Sequence, residues 1–215
     1  MNLPTKITFS RIIAIVLLMI TLFILSVIPN LEVPVLGSTR INVVFLVIFV
    51  FFVLASYTDH LDGKLARKNN QVTDLGKFLD PVADKLLVNS MLIFLAAPLA
   101  FRYAPGQISI SIWCVIIMVA RDMVVDALRS IASRKGIVIA ANIFGKLKTV
   151  LQMVAIGAVL LNDFPFHYMY PDNPYPQLTV TSFLVYAATF VSLLSGVIYV
   201  YQNRRAFLPE KKEEE

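Results

Sequence analysis

The sequence predicts an all-α integral membrane protein: a bundle of six transmembrane helices preceded by a short surface helix at the N-terminus. Three observations carry that expectation. Hydrophobic residues make up 58% of the 215 and charged residues only 15%, against about 25% in a soluble domain. The apolar residues fall in runs long enough to cross a bilayer. Lys and Arg gather at alternate ends of those runs, the pattern of the positive-inside rule.

The elements follow in order. Asn2–Ser10 is expected as a surface helix with Lys6 and Arg11 at headgroup level. The first span is Thr8–Pro29. Its apolar run exceeds a signal-peptide core and no small-x-small cleavage site follows, so it is expected to remain. The others are Arg40–Lys64, Thr73–Arg102, Ile108–Arg134, Ile143–Asn162 and Leu178–Arg204. Spans two to four exceed the ~20 residues a crossing needs, so they tilt or project. Placing both termini in the cytoplasm puts Lys64, Arg67, Lys68, Arg129, Arg134, Lys135, Lys146, Lys148, Arg204 and Arg205 on that side, and only Arg40 and Arg102 outside. The stretch 162–177 has no Lys or Arg and contains Pro165-Phe166-His167-Tyr168-Met169-Tyr170-Pro171, an aromatic interfacial loop. Residues 1–205 thus form one transmembrane domain. Residues 206–215 form a charged tail, expected to be disordered. The single cysteine, Cys114, reads as a small buried hydrophobe.

Against this apolar background four carboxylates stand out: Asp59, Asp62, Asp80 and Asp84, at the cytoplasmic ends of spans two and three. An Asp at the bilayer centre costs about 2.5–3.5 kcal/mol, less near the interface, so a group of four needs neutralising. No equally dense set of Lys or Arg shares their faces, and divalent metal is the natural compensation. At about 100° per residue, Asp59 and Asp62 lie about 60° apart on one helix, and Asp80 and Asp84 about 40° apart on the next. The short link between the helices makes them antiparallel neighbours, so the two acidic pairs can face each other. That arrangement suits two hard cations bridged by carboxylate oxygens; a single DxxD could equally be a structural contact or part of an ion pathway. Gly63 and Gly76 cost helix stability and let a flat ligand or backbone approach. Arg67, at the membrane surface, could clamp a phosphate.

The full string D-x2-D-G-x2-A-R-x8-G-x3-D-x3-D is more restrictive. Asp59, Asp62, Gly63, Ala66, Arg67, Gly76, Asp80 and Asp84 fill it without gap or substitution, and here the chain resembles the CDP-alcohol phosphotransferase family. The resemblance implies a cofactor of two divalent ions per site, Mg2+ or Mn2+, with Zn2+ possible in a crystal. It implies Asp59, Asp62 and Asp80 as metal ligands, and Asp84 as ligand to the second ion and general base. Gly63, Ala66, Arg67 and Gly76 would shape the site for the cytidine diphosphate of a CDP-linked lipid. It further implies attack of an alcohol on the lipid-side phosphate with release of CMP, a homodimer, and an active site on the cytoplasmic side of a bacterial plasma membrane. Nothing points to nucleic acid as a partner.

The acceptor is read from a second cluster: Arg121, Asp122 and Arg129, then Arg134-Lys135, then Gly145-Lys146-Leu147-Lys148-Thr149 with Gln152. Arg121, Arg129, Arg134, Lys135, Lys146 and Lys148 either follow the positive-inside rule and meet anionic headgroups, or form a pocket for an acceptor carrying a phosphate. With Asn2-Leu3-Pro4, Thr8 and Arg11, these pieces resemble the phosphatidylglycerophosphate-synthase branch, which implies CDP-diacylglycerol and glycerol-3-phosphate as substrates. Thr5, Asp122 and Asp126 depart from that pattern. Phosphatidylglycerol, the acceptor of the cardiolipin-synthase type, is the alternative. A cation transporter and an intramembrane prenyltransferase are the rivals from other classes; six spans and the tight spacing argue against both. His60 points about 100° away from Asp59 and reads, like His167, as packing.

Overall fold

Each long apolar run becomes a helix in the computed structural model, which describes residues 3–28, 33–68, 73–97, 106–136, 143–170 and 178–207. The helices are α1 (Leu3–Val27), α2 (Val43–Lys68), α3 (Asp74–Ala96), α4 (Ile112–Arg134), α5 (Ile143–Leu160) and α6 (Val180–Phe207). Among the described residues there is no strand, only an isolated bridge between Val35 and Asn42 beside the 3-10 turn Gly37–Thr39. The residues beyond 207 and the 171–177 part of the aromatic loop, both assigned from sequence, lie outside the described residues.

The expected surface helix is not a separate element. Residues 3–10 run without a break into α1, because nothing in Leu3–Val27 interrupts helix formation. The segment is also not simply at headgroup level: Thr5, Thr8 and Arg11 are all buried. Thr5 and Thr8 dock on the start of α3, which Thr73 fixes, and Arg11 docks on Asp59 of α2. The Thr73 hydroxyl accepts from the Gly76 amide at 3.0 Å, an N-cap, and meets the Thr5 hydroxyl at 2.8 Å. A methyl on Gly76 would press on the Thr73 oxygen at 3.1 Å, so the glycine keeps this junction close. α3 then continues through Pro81, between Asp80 and Asp84.

Packing divides the bundle into two halves. α1, α2 and α3 form one, α4, α5 and α6 the other, with α2–α5, α3–α4 and α3–α5 contacts between them. The shared core is built from Phe45, Ile48 and Phe52 of α2, Met91 and Leu95 of α3, Met118 of α4 and Ile156 and Leu160 of α5. Many large apolar side chains face outward instead, among them Phe23, Trp113, Phe183 and Phe190. A surface of that kind suits a membrane or a protein partner. α1 (Thr5–Val27), α5 (Ile143–Leu160) and α6 (Val180–Arg204) are each long and apolar enough to cross a membrane. The apolar part of α2, Val43–Asp59, is shorter, and charged residues interrupt α3 and α4.

At one end of the second half, Asn162 and Asp163 adopt left-handed conformations that their short polar side chains tolerate. Asn162 accepts from the Ile108 amide at 2.9 Å and donates to the Arg40 carbonyl at 2.9 Å. Asp163, 1% exposed, accepts from the Thr181 amide at 2.8 Å, the Thr181 hydroxyl at 2.6 Å and the Tyr170 hydroxyl. Desolvation first, and then the bond to Asp163, hold the Tyr170 hydroxyl above the ordinary phenolic range. These bonds tie the end of α5 to the start of α6, so the two helices are antiparallel and closely packed.

Candidate active site

Asp59 comes from the penultimate turns of α2, Asp80 and Asp84 from the first half of α3. Helical spacing sets Asp80 and Asp84 one turn apart on a common face. The structure places all three beside the start of α1. Asp84 lies within hydrogen-bonding reach of the Asp59 carboxylate, and Asp80 and Arg11 bear on it electrostatically. Asp80 accepts from the Thr8 hydroxyl at 3.0 Å. Asp59 forms an ion pair with Arg11, which is 5% exposed.

Two carboxylates that close repel unless a proton or a cation lies between them. Arg11 answers part of the charge, as one cation against several acids. Among the described side chains, three aspartates less one arginine still leave two negative charges. The donors are all hard carboxylate oxygens, the set that Mg2+ or Mn2+ takes, so the residues present fit divalent metal. Among the described residues no three acidic, His or Cys side chains close into a complete metal-holding group. The side chain of Asp62 lies outside the described residues, as do those of His60, Gly63, Ala66 and Arg67. Their backbone forms the last turns of α2, beside Asp59.

The second cluster sits between α4, α5 and α6. Asp122 is its hub. It accepts from Lys148 through both carboxylate oxygens, at 2.8 and 2.5 Å, and from Arg121 at 3.0 Å. Arg121 also donates to Ser195 of α6 at 2.7 Å. Its aliphatic stem fits against Gly196, where a Cβ would stand 2.8 Å from the Arg121 Cγ. Arg129, two turns further along α4, lies over the Tyr199 ring at 6.0 Å. Arg134, Lys135 and Lys146 are exposed. Of the six cations expected in an acceptor pocket, Arg121 and Lys148 are thus drawn into one buried group, Arg129 stands beside it, and the other three lie outside it.

Lys85 joins the two clusters. It forms an ion pair with Asp126 of α4, and Asp84 on one side and Asp122, Arg129 and Lys148 on the other all act on its charge. The sequence reading gave no role to Thr8, Lys85 or Ser195 and placed Arg11 at the surface. Arg11 had a visible signal, a cation at the start of an apolar run one helix away from an acidic pair. Ser192, Ser195 and Gly196 also had one, small residues clustered in an otherwise bulky apolar helix. Lys85 had none, because its partners are fixed by packing of α3 on α4.

Comparison with known proteins adds a family. The profile of the CDP-alcohol phosphatidyltransferase family matches residues 1–200. A relative from Bacillus subtilis, named CDP-diacylglycerol–glycerol-3-phosphate 3-phosphatidyltransferase, is 40% identical over 95% of this chain and 96% of its own length. Proteins of the same name from Rickettsia bellii and Haemophilus influenzae are 32% and 31% identical, covering 96% of this chain each and 97% and 96% of their own lengths. None of these findings points to a transporter or a prenyltransferase.

Proposed function

Because this chain belongs to the CDP-alcohol phosphatidyltransferase family, we propose that it transfers the phosphatidyl group of CDP-diacylglycerol to glycerol-3-phosphate, giving phosphatidylglycerophosphate and CMP. The observation that carries this reading is the adjacency of an acidic cluster on α2 and α3 to a basic cluster on α4 and α5, joined by the ion pair of Lys85, next to Asp84, with Asp126, one turn from Asp122. One half of the bundle has the chemistry for a metal-assisted nucleotide site. The other has the chemistry for a phosphorylated alcohol.

Asp59, Asp62, Asp80 and Asp84 would hold two divalent ions, which offset the charge of the pyrophosphate and of the departing CMP. Arg11 and Thr8 position the Asp59 and Asp80 oxygens. Gly63, Ala66, Arg67 and Gly76 shape the site of the cytidine diphosphate. Asp84, exposed on α3, takes the proton of the attacking hydroxyl. That oxygen bonds to the lipid-side phosphorus, the bond from phosphorus to the bridging oxygen breaks, and the bridging oxygen leaves with CMP.

Charge favours glycerol-3-phosphate over the alternative, phosphatidylglycerol. Arg121, Lys148 and Arg129 less Asp122 leave two positive charges. A phosphate monoester carries about −1.5 to −2 at neutral pH and a phosphodiester only one negative charge. Six membrane crossings with both termini and the active site in the cytoplasm, in the plasma membrane of a bacterium, belong to the same reading, as does a homodimer. Their support is the distribution of Lys and Arg and the family.

The test is CMP release by purified protein from CDP-diacylglycerol with glycerol-3-phosphate, phosphatidylglycerol, serine and inositol phosphate offered together. Glycerol-3-phosphate is expected to be consumed first. Dominant incorporation of any other alcohol refutes the acceptor assignment.

A further inference from the structure

The second half of the bundle holds polar atoms for which the proposed reaction has so far given no use. Gln152 is 1% exposed, and neither its amide nitrogen nor its amide oxygen has a hydrogen-bond partner among the described residues. The fully buried Ser192 hydroxyl and the Arg121 Nε are in the same position. Leaving a buried donor or acceptor unpaired is costly, so such atoms in one region of a bundle call for a ligand.

Helix register brings them together. Gln152 follows Lys148 by one turn on the same face of α5, and Ser192 precedes Ser195 by nearly one turn on the same face of α6. α5 and α6 are antiparallel, so both steps lead in one direction, away from the cytoplasmic ends and one turn beyond the Arg121–Asp122–Lys148 group. Gln152 and Ser192 therefore lie one turn inward of the Arg121–Asp122–Lys148 group, on the helices that carry Lys148 and Ser195. Their chemistry differs from that of its cations. A phosphate oxygen only accepts, and the idle amide oxygen of Gln152 needs a donor. An alcohol hydroxyl donates and accepts, and so matches an amide whose two ends are both free.

We infer that Gln152, with Ser192, binds the secondary hydroxyl of the acceptor, the one that does not react, while the neighbouring cations hold its phosphate. This rests on the glycerol-3-phosphate reading. In that molecule two carbons separate the secondary hydroxyl from the phosphate ester oxygen, so the phosphate can meet the cations while the hydroxyl meets Gln152, four residues and ~6 Å along α5 from Lys148. A site built around a hydroxyl rejects an analogue without it strongly, because its own buried polar groups are then left unpaired. The pair would thus be a specificity device, separating glycerol phosphate from other three-carbon phosphates.

The experiment compares glycerol-3-phosphate with 1,3-propanediol monophosphate, which lacks only the secondary hydroxyl, using full-length protein in detergent micelles with CDP-diacylglycerol. The wild-type protein is expected to prefer glycerol-3-phosphate by more than about 100-fold in kcat/KM. In Gln152→Met and Ser192→Ala the preference should fall below about 10-fold, as the KM for glycerol-3-phosphate rises and that for CDP-diacylglycerol does not. Ser192→Ala, a loss of one oxygen, keeps the test open if Gln152→Met is not recovered folded. A wild-type protein indifferent to the missing hydroxyl, or folded variants that keep the full preference, overturns the inference. Equal losses on both acceptors, with a lowered melting temperature, would show a structural role and overturn it as well. Wild-type protein that releases CMP with another alcohol and not with glycerol-3-phosphate is a different result, which refutes the acceptor reading itself and this inference with it.

Discussion

Gly196→Ala tests the basic pocket with a single methyl. In a helix interior, Ala gains about 0.8–1.0 kcal/mol over Gly. Were α6 free at this point, the variant would melt higher. The new Cβ, however, would stand 2.8 Å from the Arg121 Cγ, and this atom lies near the root of the side chain, where it cannot easily move away. Overpacking of this kind costs about 1–3 kcal/mol, so packing cancels or outweighs the helical gain. If Arg121 swings aside instead, it gives up its bond to Ser195 and its hold on Asp122. A hydrogen bond to a charged group contributes about 1.5–3 kcal/mol, which is about 10- to 150-fold in affinity. The expected result is a KM for glycerol-3-phosphate raised by at least about tenfold, with the KM for CDP-diacylglycerol little changed, in CMP-release kinetics beside a thermal melt. A higher melting temperature with both KM values within twofold of wild type would refute the reasoning, since it would mean that Arg121 has room to spare and no part in acceptor binding.

Four further outcomes are expected. Chelation should abolish CMP release, and Mg2+ or Mn2+ should restore it; Asp84→Asn should remain inactive with metal while still binding the nucleotide, and normal turnover would remove Asp84 as the base. Arg11→Met leaves Asp59 without its cation. Breaking a buried pair costs about 3–5 kcal/mol, but the Asp59 side chain is 30% exposed. A loss of about 2 kcal/mol is therefore expected in denaturation without metal, and one that shrinks when divalent cation is added. Asp163→Asn, far from the chemistry, should destabilise by about 2–3 kcal/mol through its bonds to Thr181 and Tyr170, with both KM values unchanged. A rise in either KM would contradict that separation of roles.

The six helices were legible because apolar runs of membrane length need no tertiary information to identify. Their limits were less so: α1 takes in residues read as a separate surface helix, since nothing local marks the depth at which a helix sits. Asp59, Asp80 and Asp84 could be read from their spacing, which fixes the face each occupies, and the link between α2 and α3 is too short to carry them apart. Asp122 as the hub between Arg121 and Lys148 was not legible. Sequence shows two cations and an acid of the same region without saying which helix faces which. Arg11 was misread for a related reason: its partner is 48 positions away, and a basic residue beside an apolar run ordinarily belongs to the interface.

That pairing of Arg11 with Asp59 bears on how the chain is made. The guanidinium leaves the ribosome 48 residues ahead of the acid that will neutralise it, about 2–10 s at 5–20 residues per second. During that interval its stem must lie along the apolar surface while its head reaches for water. The expected consequence is that α1 reaches its final depth together with α2, as a helical hairpin.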